Sequence, residues 1–402
     1  IAKTGPGSDT VAAFLAGAMG WTLDAFDFFL VVFCLTAIGR EFHKADATVS
    51  LSIVMTLAFR PLGGFIFGLL ADRYGRRVPM IWNLALCGFV QLLSGLAPTF
   101  AIFLASRALF GIFMGGQWGV AASLAMEKVP VRLRGLLSGV LQQGYAAGYL
   151  LAALVYSHMI GRYGWRSLFF VACIPALLSA VFMFARVRES QVWEENRHAD
   201  WGSLGRALLA NWKLLLYITL FATALQLSSH GSQDMYPTFL ERQWGFTASQ
   251  RALVTACSMV GAIIGGILCG HLSDRWGRRR TMMLALGGAV LLIPLWAFAP
   301  SIGLLVTGAF LIQFLIQGAW GVVPAYLTEL SPTSVRGFLP GFGNGLGVVL
   351  ASSVVYLEAV FARISSYSVA MASTAATVLI AAVIIIGLGT EKLAGNLGSE
   401  AK

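Results

Sequence analysis

The chain has 402 residues, of which 57% are hydrophobic and only 11% charged, with a mean hydropathy of +0.77. A soluble globular protein carries about 25% charged residues, so this composition excludes a water-soluble enzyme with ordinary surfaces, a disordered chain and a nucleic-acid binder. The formal charge of +10 would suit an anionic polymer, but the basic residues sit in short turns between apolar runs, as in the loops of a polytopic helical membrane protein.

A helix needs about 20 apolar residues to cross a bilayer. In chain order, spans are expected near 12–39, 48–70, 79–98, 99–126, 136–157 and 165–187, and then near 213–240, 248–271, 281–300, 301–328, 338–361 and 367–389. These twelve spans predict an all-α membrane protein of two six-helix bundles. The break between them is the most polar stretch of the chain, with Arg188, Glu189, Glu194, Glu195, Arg197 and Asp200. It sets an N-terminal bundle at 1–187, a linker at 188–212 and a C-terminal bundle at 213–402.

With both termini inside, nineteen Lys and Arg fall on inner loops and seven on outer ones, the asymmetry expected of a cytoplasmic inner face. The remaining two, Arg60 and Arg107, lie within spans. The five cysteines each sit inside an apolar run with no paired spacing, and read as small buried hydrophobes. The start at Ile1 rather than Met, without a cleavable signal, suggests missing or trimmed terminal residues. No metal-ligand cluster or nucleophile triad has workable spacing, so neither a metal site nor an enzyme is expected.

The segment Gly68-Leu-Leu-Ala-Asp72-Arg73-Tyr-Gly75-Arg76-Arg77 recurs as Gly270-His-Leu-Ser-Asp274-Arg275-Trp-Gly277-Arg278-Arg279, 202 residues on. The same offset takes Gly63-Gly64 to Gly265-Gly266, Trp118-Gly119 to Trp320-Gly321, Glu127 to Glu329 and Arg134-Gly135 to Arg336-Gly337. One offset over several separated motifs means two homologous halves. Halves related by an axis along the membrane normal suit alternating access, with a ligand between them near mid-membrane.

A charge at the bilayer centre costs about 2.5–3.5 kcal/mol on insertion scales, so the interior charges are the candidate site. Asp24 and Asp27 share a face of the first span. Arg60 lies in the second, eight residues before Gly68, and Arg107 in the fourth. His230 and Asp234 share a face of the seventh span at i and i+4, with Gln233 beside them and Gln226 a turn earlier. Counted without His230, this gives two cations and three acids, so each arginine can have a carboxylate partner and one acid is left over as a proton carrier.

Several of these residues admit a second reading. Arg107 precedes a close-packing stripe of Gly111, Gly115 and Gly119 and could serve only to neutralise Asp27. His230 could be a core histidine bonded to Asp234, and Asp24 could bond backbone without ever titrating. The amides Gln142, Gln143, Gln313, Gln317 and Asn344, like Tyr145 beside them, either line the site or join helices. Trp118, Trp320 and Tyr326 read as packing residues. Arg60 has no acid within a turn of it on its own span, and is the residue with fewest structural explanations.

The twice-repeated GxLaDRxGRR-like loop resembles the signature of the major facilitator superfamily. That resemblance implies that Asp72 and Asp274 face the N-termini of helices in the opposite half, those beginning after Gly337 and Gly135. With the charged residues that recur in both halves, it gives an expected gating set of Asp72, Arg73, Arg76, Glu127, Arg134, Asp274, Arg275, Arg278, Glu329 and Arg336.

Within that superfamily, Trp21-Thr-Leu-Asp24-Ala-Phe-Asp27-Phe-Phe, Phe59-Arg60-Pro-Leu-Gly-Gly and Leu141-Gln142-Gln143-Gly144-Tyr145-Ala-Ala-Gly-Tyr149-Leu resemble the sialate/lactate proton symporter family. Ser229-His230-Gly231-Ser232-Gln233-Asp234-Met-Tyr-Pro-Thr238 is similar to the signature N-x-x-(S/T)-H-x-(S/T)-Q-D-x-x-x-T of its lactate/pyruvate permeases, with Gln226 in place of the leading Asn. The resemblance implies proton-coupled symport of lactate or pyruvate, with the proton as coupling ion and no other cofactor. It implies Arg60 in anion recognition and His230 and Asp234 in binding or coupling; with the interior polar residues above, the expected substrate site is Arg60, Arg107, Gln142, Gln143, Tyr145, Gln226, His230, Gln233 and Asn344, and the expected proton-coupling set Asp24, Asp27, His230 and Asp234. Asp27 and Asp234 both stand as proton carriers. A larger organic acid such as sialic acid is the alternative substrate, and a membrane nutrient sensor the alternative class. A monomer in a bacterial inner membrane is expected.

Overall fold

The computed structural model describes residues 7–196 and 201–391, apart from 353, 355–357, 359, 360 and 363. Residues 1–6 and 392–402 of the two bundles lie outside the described residues, as do Asp200 and the loop cations Lys3, Arg197, Arg363, Lys392 and Lys402. Among the described residues all regular structure is helical.

Ten helices are long and apolar enough to cross a membrane among the described residues. The first four are α1 (Ser8–Glu41), α2 (Leu51–Tyr74), α3 (Arg77–Leu96) and α4 (Phe100–Lys128). A helix over Arg134–Gln142 breaks at Gln143 and resumes at Gly144–Arg186, which is non-helical at Gly164 with φ +72°. Positive φ suits glycine, and here the chain reverses. Before Gly164 it follows α1, with Gly148 on Ala25, and after it the chain returns along α3, with Gly95 on Phe170 and Gly88 on Leu177. The two limbs are α5 (134–163) and α6 (165–186).

The second half has α7 (Trp212–Gln233), α8 (Ala248–Trp276), α9 (Arg278–Ala297), α10 (Ile302–Leu330), α11 (Phe338–Ala351) and α12 (Tyr367–Leu388). Helical residues continue past α11 at 354, 358, 361, 362 and 364. The seventh span expected over 213–240 is two helices, because α7 stops at Asp234 and a short helix Tyr236–Arg242 follows. Pro237 has no N–H, and its ring would clash with the Gln233 carbonyl four residues back.

The duplication is visible in the local geometry. Gly75 and Gly277 end α2 and α8 at φ +103° and +93°, and Thr99 and Ser301 cap α4 and α10 through Ile102 N and Leu304 N. The glycine stripe of α4 is a packing face: Gly111 lies on the backbone of Thr56, Gly115 on that of Arg60, and Gly119 on Gly341 of the other half. Gly261 and Gly265 of α8 meet Phe310 and Phe314 of α10 in the same way.

The halves meet along two symmetry-related seams. In one, α2 lies on α11, with Gly68 on Phe338, Gly64 on Gly341 and Pro61 on Gly345. In the other, α5 lies on α8, with Gly135 on Gly270 and Gly139 and Gln143 on Gly266. Both seams start at the end of the bundle that carries the Asp72–Arg77 and Asp274–Arg280 loops, the basic end, and extend to mid-membrane.

A Cβ built at Gly115 overlaps the Arg60 carbonyl, so Gly115→Val must push α2 away. Overpacking typically costs about 1–3 kcal/mol, and here backbone rather than a pliable side chain stands in the way. Thermal unfolding of the purified variant should show a clear loss of stability; an unchanged midpoint would contradict this packing.

Candidate functional site

At the basic end the seams are tied by charge. Asp72, at the end of α2, accepts from the backbone N–H of Gly337 (2.8 Å) and Phe338 (2.9 Å), the start of α11. Its duplicate Asp274 accepts from Gly135 N (2.8 Å) and Leu136 N (3.1 Å), the start of α5. The first N–H groups of a helix have no partner within it and carry the positive end of the macrodipole. Each half therefore caps a helix of the other.

Around each cap lies an arginine–glutamate pair that also crosses. Glu127, ending α4, is reached by Arg76 of its own half and by Arg336 of the other, both at 3.4 Å. Glu329, ending α10, is held by Arg278 at 3.0 Å and across the seam by Arg134 at 3.1 Å. Arg76 also bridges Asp72 at 2.5 Å. Burial works against the Arg76 charge, but the Glu127 and Asp72 carboxylates outweigh it and raise its pKa above the ordinary arginine range. Arg73 lies over the Tyr74 ring at 5.3 Å, and Arg275 is exposed.

The linker adds a third tie on one side. Ser190 Oγ donates to Glu127 at 2.5 Å, Glu189 accepts from the Arg76 and Arg77 N–H groups, and Trp193 Nε1 donates to the Asp72 carbonyl at 2.8 Å. No fixed spacing in the sequence signalled these contacts.

Where the two seams end at mid-membrane stand Arg60, next to Pro61 on Gly345, and Gln143 on Gly266 with Tyr145 two residues on, and we refer to the space between the halves beyond them as the cleft. Arg60 is 7% exposed, its Nε has no hydrogen-bond partner, and it lies within Coulombic range of Asp24 and Tyr145. Tyr145 packs on Trp21 and Phe29 and is in Coulombic range of both Arg60 and Asp234. It thus stands between the charges of the two halves. Across from it, His230 Nδ1 lies 2.9 Å from Asp234 Oδ2, with side chains 30% and 38% exposed. Asp234 is in Coulombic range of Tyr145 of the other half.

The sequence-selected polar residues divide into two groups. Arg60, Tyr145, His230, Asp234 and, with a buried unpartnered Nε2, Gln143 gather around the cleft. Arg107 does not: it is sealed in the N-terminal bundle, donating to Gln91 Oε1 at 2.7 Å and to Ser94 Oγ, with the Phe110, Phe169 and Phe103 rings 4.9–5.7 Å away. Asp27 is fully buried within Coulombic range of it. Asp24 lies between the two systems, in range of both Asp27 and Arg60, with Cys87 Sγ at 3.9 Å and one oxygen unpartnered.

Several amides join helices. Gln142 Oε1 accepts from Trp118 Nε1 at 3.2 Å, Gln233 donates to Gln313 at 2.7 Å, Gln317 donates to Ser229 at 3.0 Å, and Gln226 donates to Asn344 at 3.2 Å. The last pair breaks the duplication. Asn344 is the counterpart of Gln142 and Trp320 of Trp118, yet Asn344 turns to Gln226 and leaves the Trp320 Nε1 buried without a partner.

One acid escaped the charge count. Glu358, in the helical run after α11, is 1% exposed, and neither carboxylate oxygen has a hydrogen-bond partner among the described residues. The interior therefore holds four acids, not three. The signal was present, since an acid inside an apolar run is the criterion that selected Asp24 and Asp27. Among the described residues no group of three or more metal-ligating side chains occurs.

A duplicated bundle of membrane helices, tied at one end and parted around a charged mid-membrane cleft, has the build of an alternating-access carrier. The sequence model of the Major Facilitator Superfamily matches residues 13–233 and 227–401, and the chain belongs to that family. It is 27% identical to a "Carboxylic acid transporter protein homolog" of Saccharomyces cerevisiae over 86% of its length, and spans 60% of that longer protein. It is also 27% identical to "Sialic acid transporter NanX" of Escherichia coli over 83% of both chains. A crystal structure of a double-tryptophan mutant of XylE shares the fold, with a TM-score of 0.79 and 17% identity over 97% of this chain and 98% of that one. Family and relatives indicate a transporter rather than an enzyme, in a multi-pass membrane chain.

Asp72→Asn removes the charge that holds the start of α11. Hydrogen bonds to charged groups contribute about 1.5–3 kcal/mol each, so the tied basic end should lose roughly a factor of ten or more in population. Spin labels at the exposed positions 132 and 280, on opposite halves of that end, should report a longer-distance population by pulsed dipolar spectroscopy. An unchanged distance distribution would show that the cap does not hold the end together.

Proposed function

We propose that the chain is a proton-coupled symporter of small monocarboxylates such as lactate or pyruvate, working as a monomer by alternating access in a bacterial inner membrane. The basic end faces the cytoplasm in this reading, as the Lys and Arg distribution favours, and the state described is closed inside and open outside. The observation that carries the proposal is Arg60, a buried guanidinium with an unpartnered Nε at the floor of the cleft. The guanidinium fork matches a carboxylate, and the relatives named for carboxylic acids and sialic acid support an acidic substrate.

Arg107 is left out of the contact because Gln91, Ser94 and three phenyl rings already enclose it. Its partner Asp27 serves to hold it in place, which favours Asp234, open to the cleft with His230, as the group that takes up the proton. In the cycle, Asp234 is protonated from outside, the substrate carboxylate docks on Arg60 beside Tyr145, and the loaded site is electrically balanced. The halves then rock, Asp72 and Asp274 leave their helix caps, and the cleft opens inward, where proton and substrate are released.

A larger organic acid is the second reading, favoured by the similarity to the sialic acid transporter. Competition of labelled lactate uptake by pyruvate and by sialate separates the two.

Lactate uptake into proteoliposomes should rise with an inward proton gradient and collapse with a protonophore. Arg60→Lys keeps the charge and loses the fork, and should cut uptake at least about tenfold, the equivalent of one charge-assisted hydrogen bond. Wild-type uptake by that variant, or uptake indifferent to the gradient, would overturn the carboxylate site or the coupling respectively. If Asp27 only positions Arg107, Asp27→Asn should lose thermal stability along with uptake; a fully stable variant lacking only proton-driven uptake would make Asp27 the carrier instead.

A further inference from the structure

Glu358 has no part in the cycle above, and its surroundings are unusual. It follows α11, 13 residues after Gly345 where α11 meets α2, and reaches α7 at Gly231. The position a Cβ would take at Gly231 of α7 is 3.4 Å from Glu358 Oε1, 3.6 Å from the Thr374 methyl of α12 and 3.7 Å from a Val354 methyl. The carboxyl group thus lies on the bare backbone of Gly231, whose other near neighbours are the two methyl groups. Gly231 is flanked by His230 and followed three residues on by Asp234, and Glu358 is within Coulombic range of Asp234.

A buried carboxylate without a hydrogen bond is among the least tolerated arrangements in a protein interior, and such groups are found paired or neutral. Among the described residues, the charged and titratable groups facing Glu358 offer no cation in close contact. From α7 these are Asp234 and His230, themselves bonded to one another. From α12 the neighbour is Thr374, with Tyr367 two turns away as that helix's titratable residue. From α2, the Arg60 backbone lies on Gly345 of α11.

We propose that Glu358 is a second proton-binding residue of the transport cycle, holding a proton behind Asp234 in the state described. Two acids in one low-dielectric site disfavour double ionisation, so a proton on one favours charge on the other. Asp234, open to the cleft, exchanges with water. Glu358, shut off from water, stores the proton while Asp234 is charged and bonded to His230. When the halves rock, Asp234 parts from Tyr145 of the other half, and the stored proton returns through Asp234. This assignment rests on the proton-coupled reading for its role in the cycle, but the protonation itself is a property of the protein alone.

The test uses the full chain in lipid nanodiscs without substrate. Infrared difference spectra recorded while pH is stepped across neutrality should contain a carboxylic C=O band that disappears in Glu358→Gln and returns in Glu358→Asp. Its titration should shift in Asp234→Asn. The same variants in proteoliposomes should show uptake that loses its dependence on the proton gradient in Glu358→Gln and regains it in Glu358→Asp. A band unchanged in Glu358→Gln, or one insensitive to pH, overturns the proposal. If lactate proves not to be the substrate, the infrared arm still decides, so the two failures are distinguishable. Size-exclusion profiles identify a misfolded Gln variant, in which case the Asp234→Asn shift of the wild-type Glu358 band carries the decision.

Discussion

The structure depends on one electrostatic contact made twice. The opening turn of a helix leaves N–H groups that no residue of that helix can satisfy, and within a membrane bundle water does not reach them freely. Asp72 satisfies those of α11 and Asp274 those of α5, each from the opposite half. Because the partners belong to different halves, the bonds are made only when the halves are together at the basic end. They set how far the seams extend, hence where Arg60 meets the cleft and which side of the site is open. The crossing ion pairs of Glu127 and Glu329 sit at the same level and answer to the same movement.

Charge in the interior is divided by burial. In the N-terminal bundle Arg107, Gln91, Ser94 and Asp27 form a closed system walled by aromatic rings. At the floor of the cleft Arg60 holds the same kind of charge with an unpartnered Nε, and across from it His230 and Asp234 remain partly open. Asp24 links the two regions. The distinction is one of access: Arg107 also has Nε and Nη1 unpartnered, but it is fully buried behind aromatic rings, whereas Arg60 keeps some exposure.

Function also shows where the duplication fails. The caps, the turn glycines and the glutamate bridges are nearly symmetrical, as a movement relating two equal halves requires. The cleft is not: Trp118 is bonded to Gln142, while Trp320 is released because Asn344 turns to Gln226. The linker is asymmetric too, fastening Glu127 and Asp72 through Ser190 and Trp193 on one side of the basic end.

Most spans, the two halves and the basic end could be read from residue order, because hydropathy and a fixed repeat are local properties of a chain, whereas the partners of Asp72 and Asp274 followed from the resemblance of their loop to a family signature. The interior charges could be picked out by the same rule, and Glu358 was missed only because that rule was not carried to the end of the eleventh span. What each charge faces was decided by the tertiary structure. Arg60 and Arg107 look alike in sequence, but the direction of a side chain follows from which helix lies against it. Gly115 holds the backbone of Arg60 close while Phe103, Phe110 and Phe169 enclose Arg107. The pairing of Gln226 with Asn344, and the break that places Asp234 at a helix end, likewise exist only once distant helices are packed together.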